Sequence, residues 1–296
     1  MIVPNGTSAP LGIIAGNGNL PAIACAAALR QGRQPVVVAI AGEADPAALA
    51  DVPAYLFRWG EIGRLWKILE QHSCREALFI GGVSSRPDLK SIKLDFGAIP
   101  ILPRVAKLIR AGDDSLLSGI AEIFADRGIK VVSIFDVAPD LALPAGPVTA
   151  RRPTREEEQD IRVAAEAAAM LGRLDIGQAA VAVGGRVVAL EGAEGTDGLI
   201  ARISALRDSG RIPRQGGVLV KLVKPQQDRR IDLPTIGPDT AIRASAAQLT
   251  GVAGTAGATL LAGRDETVGA FNRVNLFLLG LPEHGYELGS VHGRSR

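Results

Sequence analysis

The sequence predicts an α/β protein of two domains. Its 296 residues exceed what a single hydrophobic core usually fills. In the first half, short continuous apolar runs alternate with helical patterns, whereas residues 138–153 are dense in Pro and Gly. We therefore expect a doubly wound parallel sheet of the Rossmann-like kind over residues 1–148. A smaller α+β domain should follow over residues 149–296, with the ligand site between the two.

The elements of the first domain follow from these apolar runs. Because the runs lack polar alternation, they predict strands that are covered on both faces. The ligand of such a sheet binds at the carboxyl ends of its strands. The predicted strands cover 11–15, 36–40, 77–82 and 131–135, and the predicted helices cover 21–31, 61–72 and 104–127.

The second domain begins with a well-marked helix. Thr154 and Glu157 fit a capping box, and Gly172 is expected to end the helix. Two alternating runs across Gly184 and Gly185 then predict a hairpin with a type I′ or II′ turn. The remaining pattern predicts helices over 198–208, 240–249 and 265–274, and strands over 218–223, 258–262 and 275–280.

Composition excludes several classes of protein. A formal charge of +2 and an aromatic content of 4% argue against a nucleic-acid partner. Cys25 and Cys74 lack metal-site spacing, which fits a reducing compartment. No signal peptide or membrane span is predicted, so we expect a cytoplasmic protein. The chain also lacks a Gly-x-Ser-x-Gly or His-Glu-x-x-His motif, which argues against elbow-type acyl hydrolases and zinc peptidases.

Two glycine-rich loops follow predicted strands. The first, Gly16–Pro21, places backbone N–H groups and a helix start where a phosphate could bind, but Pro21 replaces the third glycine of the dinucleotide fingerprint. The second, Gly81–Arg86, adds Ser84 and Arg86 as anion-binding side chains. If the two strands are neighbours, the loops converge on one crevice; otherwise both are ordinary turns.

Acidic residues occur at two further places. Asp113 and Asp114 precede a helix, where they are either capping groups or oxygen ligands. Glu194 and Asp197 lie in the turn after the hairpin, which makes that turn a candidate cation site, although Thr196 or Asp197 could simply cap the next helix.

Residues 221–237 carry an unusual mixture of basic, amide and acidic groups. Cations such as Lys221 and Lys224 neutralise phosphate oxygens, and carboxylates hold Mg²⁺ and orient an attacking water. The composition therefore suits cleavage of a phosphoanhydride. The alternative is a charged surface loop.

Six motifs in order carry a resemblance to a known family: LGIIAGNGNLP, GGVSSRPD, AGDDSLL, GRLDIGQ, EGTDGLI and KPQQDRRIDLPTIG. Over residues 11–281 the chain resembles the UDP-2,3-diacylglucosamine pyrophosphatases of the LpxI type. The resemblance implies Mg²⁺-dependent, or Mn²⁺-dependent, hydrolysis of UDP-2,3-diacylglucosamine to UMP and 2,3-diacylglucosamine 1-phosphate (lipid X) in lipid A biosynthesis, with water attacking the β-phosphorus. It also implies a homodimer and peripheral contact with the inner face of the inner membrane.

The resemblance assigns roles to residues at the matching positions. Asp232 is the expected catalytic carboxylate, with Asp228 as the second candidate, and Asp232, Asp197 and Glu194 are the expected metal ligands. Asp113 and Asp114 would lie next to these ligands without binding the metal themselves. The expected substrate contacts are Gly16, Asn17, Gly18, Leu20, Pro21, Gly81, Gly82, Ser84, Arg86, Gln178, Gly195, Thr196, Lys221, Lys224, Gln227 and Thr235.

Two other functions remain open at this stage. A nicotinamide-dependent oxidoreductase would use the same opening glycines with Glu43 as the ribose acceptor. A sugar-nucleotide sensor without catalysis would leave the carboxylates to salt bridges and would bind a UDP-sugar without releasing UMP.

Overall fold

The computed structural model of the chain describes residues 8–45, 49, 52–83, 92–111 and 113–283, with the side chains of Ser8 and of residues 109–115 left out. By its contacts, the chain forms two compact units. The first extends to Pro139 and also includes Asp228–Asp232; the second comprises Asp140–Gln227 and the chain from Leu233 onward.

The first unit is built on a sheet of five parallel strands within the described residues. Their spatial order, β3-β2-β1-β4-β5, is that of the first five strands of a Rossmann sheet. The elements, in chain order, are β1 (Ser8–Ala15), α1 (Leu20–Arg30), β2 (Arg33–Ile40), β3 (Ala54–Phe57), α2 (Ile62–Gln71), β4 (Glu76–Ile80), a 3₁₀ turn (Ile99–Ile101), α3 (Leu102–Ala111), α4 (Asp113–Ala125), β5 (Lys130–Val132) and α5 (Ile134–Val137).

Burial explains why the apolar runs form the inner strands. Positions 36–40 of β2 are all buried, as are Leu11–Ala15 of β1. The core on one side of this sheet includes Trp66 and Phe124, whose rings meet edge to face with centroids 4.7 Å apart. Cys25 and Cys74 are free, buried thiols, and burial raises the pKa of each to about 11.

Three expectations for the first unit need correction. Strand β3 was not predicted, because it is a short edge strand with three exposed residues. The predicted helix 104–127 is two helices, α3 and α4. The predicted strand 131–135 stops at Val132 because Ser133 and Asp136 form a capping box that begins α5.

The second unit contains a mixed six-stranded sheet within its described part, in the order β6-β13-β11-β9-β7-β8. Strands β9, β11 and β13 are parallel, and β6 and β7 run antiparallel to their partners. The elements are β6 (Gly146–Pro147), α6 (Arg155–Arg173), β7 (Ala179–Val183), β8 (Arg186–Leu190), α7 (Gly195–Asp208), β9 (Val218–Lys221), β10 (Thr235–Ile236), α8 (Pro238–Ala246), β11 (Gly251–Thr255), β12 (Leu260–Leu261), α9 (Arg264–Arg273) and β13 (Phe277–Leu281).

The capping box and the hairpin are confirmed. The Thr154 hydroxyl accepts a hydrogen bond from the Glu157 backbone N–H, and the Glu157 carboxylate accepts one from that of Thr154. Gly184 and Gly185 have φ values of 61° and 76°, as a type I′ turn requires. The buried carboxylate of Asp160 on α6 accepts hydrogen bonds from both glycine N–H groups.

The second unit differs from the expectation of a smaller α+β domain. Its main sheet has one strand more than the first sheet in the described chain, and helices alternate with its parallel strands. The central strand β11 was missed, because its sequence GVAGT lacks bulky β-forming side chains. The predicted strand 258–262 is the short β12, which pairs with β10 in a separate ladder.

Candidate functional site

The described parts of the two glycine-rich loops of the first unit lie against each other, which is the first of the two alternatives that the sequence left open. They follow the adjacent strands β1 and β4, and Asn17 and Gly82 exchange backbone hydrogen bonds of 2.8 and 3.2 Å. A Cβ atom on Gly16 would lie 2.3 Å from the Gly82 carbonyl oxygen, and one on Gly81 would lie 2.7 Å from that of Asn17. Both positions therefore require glycine for the packing of the two backbones alone.

The start of helix α1 adjoins this pair of loops. Gly18 has a φ of 84°, and a Cβ added there would meet nothing within 4 Å. Leu20 and Pro21 form the first turn of α1, and the preceding Asn19 makes no side-chain cap. The Asn17 amide nitrogen lies 3.5 Å from the Glu43 carboxylate. This end of the sheet thus combines close backbones with a helix N-terminus, the arrangement that receives phosphates.

Four of the predicted side chains cannot be placed. Ser84 and Arg86 lie outside the described residues, so the structure says nothing of them. Helix α4 begins at Asp113, but the side chains of Asp113 and Asp114 are also outside the described part.

The segment Asp228–Asp232 packs on the first unit. The Ile231 side chain joins the apolar cluster of that unit, and the Arg229 carbonyl accepts a hydrogen bond of 3.1 Å from the Ser133 hydroxyl. The Asp232 backbone N–H donates to the Asp228 carbonyl at 2.9 Å, which closes a turn. The two candidate catalytic carboxylates are thus carried on one short, anchored turn.

The two carboxylates differ in their surroundings. Arg230 holds both oxygens of Asp228, through Nε at 2.9 Å and Nη2 at 2.6 Å, and only 9% of the Asp228 side chain is exposed. The Arg230 hydrogen bonds lower the pKa of Asp228, against the opposing effect of burial. An ionised carboxylate in a bidentate pair is a poor proton acceptor. Asp232 is half-buried at the other end of the turn.

In the second unit, most of the predicted side chains gather at the carboxyl edge of the parallel strands. Lys221 ends β9, which lies between β7 and β11, so exposure at a sheet edge does not account for a lysine there. Its Nζ lies 3.3 Å from the Thr235 carbonyl oxygen. The chain after Lys221 is fixed by two hydrogen bonds, from Leu222 N to the Gln178 carbonyl and from Val223 N to the Thr255 hydroxyl.

Lys224 lies in a network that joins two segments, the end of helix α6 and the loop 224–227. Its ammonium pairs with Asp175 at 2.7 Å, and its backbone N–H donates to the buried Gln227 side chain at 3.0 Å. The neighbouring Gln226 donates to the Gly172 carbonyl at 2.8 Å. This loop therefore holds Lys224 in place against the end of helix α6, where only 12% of its side chain is exposed.

Gly172 does not end that helix. Helix α6 continues to Arg173, and Asp175 takes the left-handed conformation with a φ of 54°. Asp175 N donates to Gly172 O and Ile176 N donates to Leu171 O, both at 3.1 Å, which is a Schellman motif.

A buried carboxylate organises the opposite side of this edge. Glu191 is 6% exposed; one of its oxygens accepts from the Gln178 backbone N–H at 2.8 Å and the other from the Thr196 hydroxyl at 2.6 Å. The amide oxygen of Gln178 is buried and has no hydrogen-bond partner in the described chain. A buried acceptor that lacks a hydrogen bond destabilises the folded protein, and a hydrogen-bond donor of a ligand would remove this loss of stability.

Sequence reasoning missed three residues of this edge as site residues: Asp175, Glu191 and Thr255. Asp175 lies in the motif GRLDIGQ quoted above, so an acidic residue close to Gln178 was an available signal, whereas Glu191 lies three residues before the motif EGTDGLI. Thr255 ends the strand that was not predicted, and its hydroxyl acts by accepting from the Val223 backbone.

Two of the expected metal ligands, Glu194 and Asp197, pair with arginines of the second unit. Glu194 is the N-cap residue of α7 and pairs with Arg202, and Asp197 in its first turn lies 3.5 Å from Arg243 Nε. Gly195 begins the same helix. Among the described residues, no group of three His, Cys, Asp or Glu side chains is arranged to hold a metal ion.

The described helices include none long and apolar enough to cross a membrane.

Comparison with known proteins covers both units. A family model described as the LpxI N-terminal domain matches residues 10–141, and one described as the LpxI C-terminal domain matches residues 144–279. A relative from Caulobacter vibrioides, named UDP-2,3-diacylglucosamine pyrophosphatase LpxI, is 37% identical over 273 residues. This alignment covers 92% of the present chain and 97% of the relative.

Proposed function

Because the chain belongs to the LpxI family, we propose that it hydrolyses UDP-2,3-diacylglucosamine to UMP and 2,3-diacylglucosamine 1-phosphate, a step of lipid A biosynthesis. In this reaction a water oxygen forms a bond to the β-phosphorus, and the bridging oxygen leaves with UMP. The observation that carries the proposal is the match to both LpxI domains, together with the lysine pair at the carboxyl edge of the second sheet.

We propose that Lys221 and Lys224 bind the diphosphate. Both ammonium groups are held by the protein, Lys221 through the Thr235 carbonyl and Lys224 through Asp175. Positive charge that is already positioned needs little reorganisation when negative charge develops on the phosphate oxygens. Gln227 supports this role by fixing the Lys224 backbone.

Asp232 is the proposed catalytic carboxylate, because Asp228 is committed to Arg230. Asp232 would orient the attacking water and accept its proton. Asp228 and Arg230 would position it through the turn that they share with Asp232.

We also propose which groups bind the nucleotide and sugar parts of the substrate. The paired loops at Gly16 and Gly81, with the start of α1, suit the nucleotide part through backbone N–H groups. The Gln178 amide oxygen would accept a hydrogen bond from the substrate, which would remove the cost of burying it alone.

Dependence on a divalent cation is also proposed. Mg²⁺ is often held by one or two carboxylates together with substrate phosphates, so a cage of three protein ligands is not required. Asp232 would be its carboxylate ligand here, since Glu194 and Asp197 pair with arginines. The ion would neutralise charge on the diphosphate.

The deciding experiment incubates the purified chain with UDP-2,3-diacylglucosamine, with and without EDTA, and analyses the products. We expect UMP and the acylated sugar phosphate in equal amounts, loss of both with EDTA, and recovery with added Mg²⁺ or Mn²⁺. Tight binding of the UDP-sugar without UMP release would instead support a sensor. Binding of NADH in a parallel titration would support an oxidoreductase.

A homodimer, a cytoplasmic location and peripheral contact with the inner face of the inner membrane complete the proposal. Sedimentation analysis would test the first, and fractionation with vesicle binding would test the other two.

A further inference from the structure

Three large apolar side chains are exposed at the end of helix α6, where Asp175 pairs with Lys224. Met170 is 57% exposed, Leu174 is 70% exposed and Ile176 is 54% exposed. We call these three residues the apolar ledge. Single exposed apolar side chains are common on protein surfaces, but adjacent ones mark interaction sites.

The ledge interrupts a charged surface. Positions 158, 162, 166, 170 and 174 follow one another at intervals of four, so each neighbours the next along a row that winds round helix α6 and ends at its C-cap, Leu174. All five are exposed; Glu158, Arg162 and Glu166 are charged, whereas Met170 and Leu174 are apolar. The change occurs in the last turn of the helix, where it meets the Lys224 loop.

Backbone hydrogen bonds order the chain that carries the ledge. The Leu174 N–H donates to the Met170 carbonyl at 3.3 Å, and the Schellman motif ties Ile176 to Leu171. The backbone that carries these side chains is therefore already ordered before a ligand covers them.

The ledge is continuous with the proposed diphosphate site. Asp175 lies between Leu174 and Ile176 in the chain and holds the Lys224 ammonium at 2.7 Å. The Gln226 side chain donates to the Gly172 carbonyl of the same helix end. Cationic and apolar groups thus border each other, which matches a ligand that carries both phosphate and hydrocarbon.

We propose that the apolar ledge binds an acyl chain of the substrate while Lys224 binds its phosphate. The proposal rests on the proposed function, because it takes the substrate to be an acylated sugar diphosphate. Contact with hydrocarbon removes apolar surface of both partners from water. Met170 adds a flexible side chain that adapts to a chain of variable shape.

The test compares a double variant, Leu174→Gln with Ile176→Gln, with the wild type on a long-chain and a short-chain diacylated substrate. We expect KM for the long-chain substrate to rise roughly tenfold, since a few methylene groups lose their apolar contact. Turnover of the short-chain substrate should stay near that of the wild type. Ile242→Gln is the matched control, because Ile242 is an isoleucine of the same unit that is 58% exposed.

Each outcome decides the inference separately from the proposed function. Unchanged KM for both substrates would overturn the ledge while leaving the function intact. An equal loss on both substrates would mean a structural role, and an altered sedimentation mass would mean that a second copy of the chain covers the ledge; either overturns it. Failure of the wild type to release UMP would instead contradict the proposed function. Binding of 2,3-diacylglucosamine 1-phosphate by the double variant, weaker than by the Ile242→Gln control, gives a readout besides turnover.

Discussion

The Lys224 ammonium lies 2.7 Å from Oδ1 of Asp175, and Asp175 holds it from a backbone with a φ of +54°. A left-handed residue at a helix end is usually glycine, because other side chains pay a steric cost there. Aspartate at this position is therefore less favourable for the stability of the fold than glycine would be, but it supplies a carboxylate that orients the Lys224 ammonium.

Asp175→Gly separates these two effects. Glycine relieves the left-handed conformation, so we expect the free energy of unfolding to stay level or to rise by about 1 kcal/mol. Lys224 loses the Asp175 carboxylate, so kcat/KM for UDP-2,3-diacylglucosamine should fall roughly tenfold through less accurate positioning. Urea unfolding and steady-state kinetics measure the two quantities. A variant that is both more stable and fully active would contradict the positioning role.

Asp232→Ala should lower kcat by about 10² to 10⁴, because it removes the group that orients water and accepts a proton. Binding of the UDP-sugar and the melting temperature should change little. Product analysis measures kcat, isothermal titration measures binding of the UDP-sugar, and thermal unfolding measures the melting temperature. Near-normal turnover would rule out Asp232 as the catalytic carboxylate.

Asp228→Ala should behave differently. Since Asp228 acts through Arg230, Arg230→Ala should reproduce its kinetic effect, and the double variant should be no worse than either single one. If Asp228→Ala alone matches the loss of Asp232→Ala while Arg230→Ala is active, Asp228 is the catalytic group instead.

Gln178→Met tests the unmatched amide oxygen. Removing a buried acceptor that has no partner should leave the free energy of unfolding unchanged or raise it by about 1 kcal/mol. KM for the substrate should rise, because the proposed hydrogen bond is lost. Gln159→Met, at a half-buried glutamine on α6, is the control and should leave KM unchanged. A destabilised variant with normal KM would mean that Gln178 serves the fold.

Glu157→Gln should destabilise the second unit in a pH-dependent manner. Burial raises the pKa of Glu157, but hydrogen bonds from Arg151, Thr154 and Thr250 outweigh burial, so its pKa lies below the ordinary value. A lowered pKa in the folded state stabilises the protein above the unfolded pKa of about 4.3, and this stability is lost as the pH falls through the folded pKa.

We therefore expect Glu157→Gln to cost about 1 to 2 kcal/mol near neutral pH, and the difference from the wild type to shrink below about pH 4. Urea unfolding across this range measures it. Glu156→Gln, at the exposed neighbour in the same first turn, should show a smaller effect at every pH. A loss that is independent of pH would contradict the electrostatic explanation.

The inner strands could be predicted because burial on both faces leaves a continuous apolar run, as in β1 and β2. Strand β3 could not, since three of its four residues are exposed at the sheet edge. Strand β11 was not predicted for a different reason. It is fully buried at the centre of the second sheet, but Gly251 leaves room for the Phe277 ring, and such small residues resemble a loop in sequence.

The candidate site was predictable to the extent that residues near in sequence stay near in space. The convergence of the Gly16 and Gly81 loops followed from the rule that parallel strands present their carboxyl ends at one edge. The partners of Glu194 and Asp197 did not follow, because Arg202 lies eight residues after Glu194 and Arg243 lies on another helix, α8. Nor could the sequence show that Arg230 occupies both oxygens of Asp228.

The sequence by itself determined the two-part organisation, the capping box of α6, the hairpin turn and the motifs of the family, because each depends on local preferences or on spacing along the chain. Only the tertiary structure decided which charged groups are paired with one another. Pairing of a carboxylate with an arginine, or burial of an amide oxygen without a partner, depends on distances between side chains that the order of residues does not contain.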